Sequence, residues 1–364
     1  MNIVYRVFGV ILIAIVLFDV FKAVIVPRVT ARAWRISPIL IRDLLWPLYK
    51  RIGLRLSSKD KDASIGMLAT FAPLAFVALM LVWLIMLVAG FALILFSLSN
   101  EITPHLRNFG EAIYLAGTSV LTIGYGDVVA TSPPARITVL TGGLCGLVFM
   151  ALEISLLFTI QNWLQHRETV VNTLSSRAGT PASGLVLLLR YKELNILPLL
   201  GASFLQWESW TASILESHRA YPLLLYFRSI NQNDSWLSSM GAMLDAASLL
   251  LTSIEDIVVG EADLFYWLSC TTLESISKMV DLSSPDGVHL SRQEYEDGLS
   301  ILSDVGYQIR KTERAWEQFC ARRSGYMGNL IAISEAFALP RHIWIKGLNI
   351  LTPDPETTES KVSS

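Results

Sequence analysis

The segment Thr122-Ile123-Gly124-Tyr125-Gly126-Asp127 is where residue types and spacing can do chemistry in this chain. Two glycines one residue apart let successive carbonyls aim the same way, through φ values that side chains resist. Carbonyls from Thr122, Ile123, Gly124, Tyr125 and Gly126, with the Thr122 hydroxyl innermost, offer a column of oxygens. Such a column can replace the water shell of a dehydrated cation. Nothing else in the sequence competes. Cys145, Cys270 and Cys320 are far apart and lack metal-ligand spacing, and no nucleophile–base pattern or GxGxxG after a strand is present. The chain therefore reads as a non-enzyme with no cofactor beyond a permeant ion.

The elements that must hold this segment are apolar. The 364 residues are 52% hydrophobic and only 16% charged, with a mean hydropathy of +0.48. That combination implies a membrane part joined to a soluble part, and a net charge of -2 points to no nucleic-acid partner. Residues 8–26, broken by Asp19 and Lys22, 65–98, with no charge, and 137–160, broken by Glu153, form three apolar runs. Each approaches or exceeds the ~20 residues that cross a hydrocarbon core. The first is read as a retained span rather than a cleaved signal, because Asp19 interrupts it where a signal would be most apolar.

The loops set the direction. Arg28, Arg32, Arg35, Arg42, Lys50, Arg51, Arg55, Lys59 and Lys61 crowd the first connection, whereas Arg107 is the single basic residue between Ser99 and Ala135. The positive-inside rule puts the first connection in the cytoplasm and the second outside, with the N-terminus outside and everything after the third span inside. Apolar clusters around Ile39–Ile41, Leu44–Trp46 and Leu48–Tyr49 suit a helix lying on the inner surface.

Residues 108–121 read as an apolar helix too short to span, and TIGYGD follows it at once, on the outer side and between two spans. Irregular backbone at membrane depth is tolerated only where it lines a cavity or is buried in protein. Here the chain resembles the potassium-channel pore family, whose TxGYG filter is matched by Thr122, Gly124, Tyr125 and Gly126, with Ile123 at the usual aliphatic position and Asp127 next. The resemblance covers about residues 65–164. It implies a K+ filter of backbone carbonyls, Tyr125 packing outward to hold it open, and Asp127 anchoring its outer mouth. Leu121 stands where many members carry a second threonine. Since one such loop cannot surround an ion, four copies in a homotetramer in the cell membrane are expected.

The third span carries Gly142, Gly143 and Gly146. Gly146, and secondarily Gly142, stands where the family's inner helices carry a hinge glycine; tight helix packing is the competing reading. Glu153 would either form an acidic ring at the inner mouth or pair with Lys22, and the pairing is preferred, with Lys22 equally placed to pair with Asp19 one turn earlier on its own helix. Neither of the first two spans carries arginine at every third position, so voltage sensing is disfavoured.

The expected organisation is an N-terminal span and basic linker over 1–63, a pore domain over 64–164, a cytoplasmic helical domain over 165–352 and a disordered tail over 353–364. The fold class is all-α: three transmembrane helices, a pore helix and a helical bundle. Helical spacing marks Ser203–Arg219, Trp236–Ile254, Leu264–Val280 and Arg292–Cys320. The stretches 218–222 and 226–229 gather polar groups among aromatics. They read as a corner that caps the bundle, or as a site for an unidentified cytoplasmic ligand. Membrane lipid is the other expected partner.

Overall fold

The computed structural model describes residues 2–24, 36–57, 61–229, 235–255, 257, 260–284 and 290–340. Arg28, Arg32, Arg35, Lys59, Asn231–Asp234 and the tail 353–364 lie outside the described residues. The chain divides into two compact units, Met1–Asn162 and Trp163–Ser364.

In the first unit, α1 (Asn2–Val24) is followed by the short α2 (Ile36–Pro38), a π-helical stretch Ile39–Leu45, α3 (Trp46–Ser57) and the long α4 (Lys61–Ser97). Then come strand β1 (Ile102–Thr103), α5 (Phe109–Val120), strand β2 (Val129–Ala130) and α6 (Pro133–Ala178), within which the division between the units falls. Three helical stretches, Ile3–Val24, Gly66–Ser97 and Pro133–Ala178, are long and apolar enough to cross a membrane. They coincide with the three apolar runs, and α4 continues through Pro73. The π-helical stretch has a local cause. Pro47 has no amide to offer the carbonyl of Asp43, and the Trp46 amide reaches back five residues to Ile41 O.

Helix α1 meets α4 along the narrow stripe Gly9, Val16, Asp19 and Val20, spaced as one helical face, while Phe8, Ile11, Ile15 and Phe18 are exposed. The crossing point is a pair of glycines. A Cβ on Gly9 would lie 2.6 Å from the carbonyl of Gly90, and one on Gly90 would lie 2.6 Å from Ile13 Cγ1. No side chain fits there, which is how small residues let membrane helices approach closely. Around it, Arg6 Nε donates to Ser97 Oγ at 2.9 Å and Tyr5 meets Phe96 edge-on at 5.6 Å. Helix α3 lies on the other end of α4, with Trp46 and Tyr49 against Phe71 at 4.9 and 5.2 Å.

The second unit contains α7 (Gly184–Glu193), α8 (Leu200–Ala220), α9 (Trp236–Thr252), α10 (Gly260–Met279), α11 (Arg292–Asp304) and α12 (Glu313–Ala336). The all-α reading holds. Helix α9 is the centre of this unit, buried along nearly its whole length. It starts where the sequence suggests, at Ser235, whose hydroxyl accepts from the Ser238 amide while Ser238 returns the bond. Asp245, fully buried on α9, accepts from Tyr326 Oη at 2.5 Å and pairs with Arg323 at 3.4 Å, which fixes α12 to it. The single helix expected over Arg292–Cys320 is two. Gly306 adopts φ +89° after Asp304, and Thr312 caps a new start by accepting from the Ala315 amide. Helix α7 was not anticipated, because its near-continuous apolar run shows no period.

Candidate pore site

The short helix α5 is built from both ends. At its start the Asn108 side chain accepts from the Glu111 amide at 3.0 Å, and Glu111 Oε2 accepts from the Arg107 amide at 2.6 Å. These bonds satisfy amides that a helix N-terminus leaves without partners. Buried Ala112, Leu115, Ala116 and Val120 face inward within the unit, and Phe109 meets Phe96 of α4 edge-on at 5.9 Å.

At its far end the chain turns sharply and ties its amides back. Thr122 N donates to Ser119 O at 3.0 Å, and Ile123 N and Gly124 N share Thr118 O at 2.8 and 3.2 Å. Thr122, Gly124 and Gly126 have φ of 57°, 61° and 80°, so every second residue is left-handed. Such an alternation is the backbone pattern that successive carbonyls need if they are to aim the same way. Among the described residues no hydrogen bond ends on the carbonyls of Thr122, Ile123, Gly124 or Tyr125, and residues 121–127 are all exposed in the single chain. The glycines adopt these angles freely, but Thr122 is β-branched and pays about 1–3 kcal/mol for its angle. The amide bonds to α5 are what hold it there.

Asp127 is anchored by a residue that the sequence reading missed. Tyr114, on α5, donates its hydroxyl to Asp127 Oδ2 at 2.9 Å, and its ring lies parallel to that of Tyr125, 6.4 Å away and tilted by 7°. The signal was available, because Tyr114 lies one helical turn before Thr118 and so shares its face. Beyond Asp127 the loop is closed by β1 and β2, which pair antiparallel with Ile102 opposite Ala130 and Thr103 opposite Val129. The Glu101 carbonyl accepts from both the Thr131 amide at 2.9 Å and the Thr131 hydroxyl at 2.8 Å. A cleft of about 380 Å³ lies between the loop and α6, bounded by Leu115, Thr118, Tyr125, Val139 and Leu140 among others.

Helix α6 presses on the end of α5 at Gly146. A Cβ there would lie 1.8 Å from the carbonyl oxygen of Val120, whereas one on Gly142 would stand 3.5 Å from the ring of Phe91. Gly146 therefore permits a close approach that no other residue allows, and α6 is helical through the whole glycine cluster.

The expected pair of Glu153 and Lys22 is not formed. The Lys22 ammonium lies over the ring of Phe18 at 5.7 Å, and Glu153 Oε1 is buried without a hydrogen-bond partner. The carboxylate that joins α1 to the rest of the unit is Asp19, which accepts from Trp83 Nε1 at 2.8 Å and from the Ser37 amide at 3.2 Å. An indole N–H in an apolar interior needs an acceptor, and the Asp19 carboxylate supplies it. Glu153 lies on the same helical face as Gly146, Phe149, Leu156 and Ile160, the buried one, and not on the exposed stripe of Ile137, Leu140, Leu144, Leu147, Ile154 and Phe158.

In the second unit the polar corner is held from α6. Arg167, 2% exposed, pairs with Glu168 at 2.9 Å and donates to the carbonyls of Leu224 at 3.3 Å and Phe227 at 2.9 Å. Ser229 donates to Glu168 at 3.1 Å, and Arg228 donates to the Ala338 carbonyl. His218 is fully buried, bonds through Nδ1 to Ile214 O at 2.8 Å and packs on Trp236 at 5.0 Å. Burial, with Arg167 nearby, pushes its pKa down to about 3. Arg167, Glu168, Ser229 and Arg228 are thus tied together, whereas His218 Nε2 and Trp236 Nε1 are buried without a hydrogen-bond partner among the described residues.

Residues 78–162, from α4 through α5 and the loop into α6, match the family model Ion_trans_2, described as ion channel. No curated protein and no solved structure matches the chain. Over that stretch the chain is similar to ion-channel pore segments, and three helices around it are long and apolar enough to cross a membrane.

Proposed function

We propose that the chain is one subunit of a potassium-selective channel and that Thr122–Gly126 is its filter. The observation that carries this is the alternation of left-handed residues at Thr122, Gly124 and Gly126 with the amides drawn back to α5. It leaves the carbonyls of Thr122, Ile123, Gly124 and Tyr125 as a row of oxygens without internal donors, suited to a dehydrated K+. Asp127 anchors the outer mouth through Tyr114. One chain supplies one wall, so four copies in a homotetramer are needed to enclose an ion. The exposed apolar stripe of α6 and the 70% exposure of Tyr125 in the single chain fit an assembly that covers them.

The orientation follows from charge, with the N-terminus outside the cell membrane and the second unit in the cytoplasm. That helical unit governs opening, with or without a cytoplasmic ligand, through the corner that Arg167 and Glu168 of α6 hold. Purified full-length protein in planar bilayers, with K+ on one side and Na+ on the other, tests the proposal. A reversal potential that follows the K+ gradient supports it, and one that ignores K+ refutes it.

A further inference from the structure

We infer that α1 is a regulator of the pore, and that Asp19 is the positioning residue through which it acts on the inner helix. The inference rests on the channel reading above. A carboxylate in a membrane span is costly and calls for a reason. Attachment of α1 to α4 is also served by the Gly9–Gly90 crossing and the Arg6–Ser97 bond. Asp19 adds something else. It is 2% exposed and accepts from Trp83 Nε1 at 2.8 Å. Trp83 is fully buried, and its ring stands edge-on to Phe149 of α6, with centroids 6.4 Å apart and planes at 82°.

Phe149 is 2% exposed and follows Gly146 by three residues, directly after the turn of α6 that touches the Val120 carbonyl. Val120 is the last residue of α5 before the filter loop. A continuous packed path therefore runs from α1 through one hydrogen bond and one ring contact to the inner helix. The same carboxylate oxygen that holds Trp83 also accepts from the Ser37 amide at 3.2 Å, so the stretch that begins the interfacial helices shares the node. Tilting Trp83 changes the shape that Phe149 packs against, and interiors packed at crystal density pass such changes on. The bond thus biases the open–closed equilibrium, while the permeation path is left alone.

The test is a double-mutant cycle on full-length tetramers in bilayers. Asp19→Leu removes the acceptor and Trp83→Phe removes the donor while keeping a ring against Phe149; Asp19→Asn, which retains an acceptor oxygen, serves as the conservative variant. Expected is a shift of the open–closed ratio by about 5- to 150-fold in each of the first two variants, as for typical coupling between sites. Their combination should be no worse than either alone, Asp19→Asn should lie near wild type, and unit conductance and reversal potential should not change. Unchanged open probability, or additive effects of Asp19→Leu and Trp83→Phe, overturns the inference. If Asp19→Leu does not assemble, Asp19→Asn and Trp83→Phe alone decide it, the former expected near wild type and the latter shifted. A wild-type channel that conducts without K+ selectivity would instead refute the function proposed above and leave this cycle interpretable.

Discussion

Replacing Gly146 by alanine tests whether the glycines of α6 serve contact or bending. The new Cβ would lie 1.8 Å from the Val120 carbonyl oxygen, inside any permitted separation, and the obstacle is backbone rather than a side chain that can swing away. Helix α6 must move off α5 by more than 1 Å to clear it, and overpacking of that kind costs about 1–3 kcal/mol. Alanine also recovers about 1 kcal/mol of helix propensity in a soluble helix, so the net loss is smaller than the clash alone. Gly142→Ala is the control, because its Cβ would meet the Phe91 ring at 3.5 Å, an ordinary contact. It keeps the propensity gain without the penalty. Thermal unfolding of both purified variants in detergent, alongside their bilayer currents, makes the comparison. Gly146→Ala should unfold at lower temperature and disturb conduction, and Gly142→Ala should match wild type or exceed it. The reasoning fails if Gly146→Ala is as stable as wild type, or if both variants change gating equally, as two hinge glycines would.

Tyr114→Phe removes the hydroxyl that holds Asp127; its loss should appear as less sustained current or weaker K+ over Na+ selectivity, with assembly intact by size-exclusion chromatography. Arg167→Ala leaves Glu168 and the carbonyls of Leu224 and Phe227 without their buried partner, so unfolding of the second unit should become easier by about 3–5 kcal/mol, measured by chemical denaturation of the full chain. His218 gives a pH dependence with a defined sign. Its pKa falls from 6.5 to about 3 on folding, so the unfolded chain takes the proton first and stability declines as pH drops below 6.5, fully so below about 3. Between pH 7.5 and 5 that loss is about 2 kcal/mol, and His218→Gln should flatten this part of the profile; an unchanged profile would contradict it.

The spans were legible in the sequence because membrane crossing imposes a length and an absence of charge that one chain displays by itself. The loop 122–127 was legible because glycine at Gly124 and Gly126 announces the backbone angles found there. Thr122 was not, since its left-handed angle is imposed by amide bonds to Thr118 and Ser119 and leaves no trace in residue type. The partners of charged residues were the least readable. Lys22 and Glu153 are an obvious pair on paper, yet Asp19 found the Trp83 indole, a neutral donor that charge counting overlooks. Helix breaks in the second unit followed capping residues, and the break after Asp304 was missed because the apolar period continues across it.

The central claim is that carbonyls of Thr122–Gly126 select K+. The measurement that meets it most directly is the reversal potential of the reconstituted wild-type channel under opposed K+ and Na+ gradients, repeated with Gly124→Ala, whose φ of 61° a side chain resists. Reversal near the K+ equilibrium potential for wild type, and its loss in a Gly124→Ala protein that still assembles as a tetramer, is the predicted result. A wild-type reversal potential indifferent to K+, or selectivity unaltered by Gly124→Ala, would contradict the account.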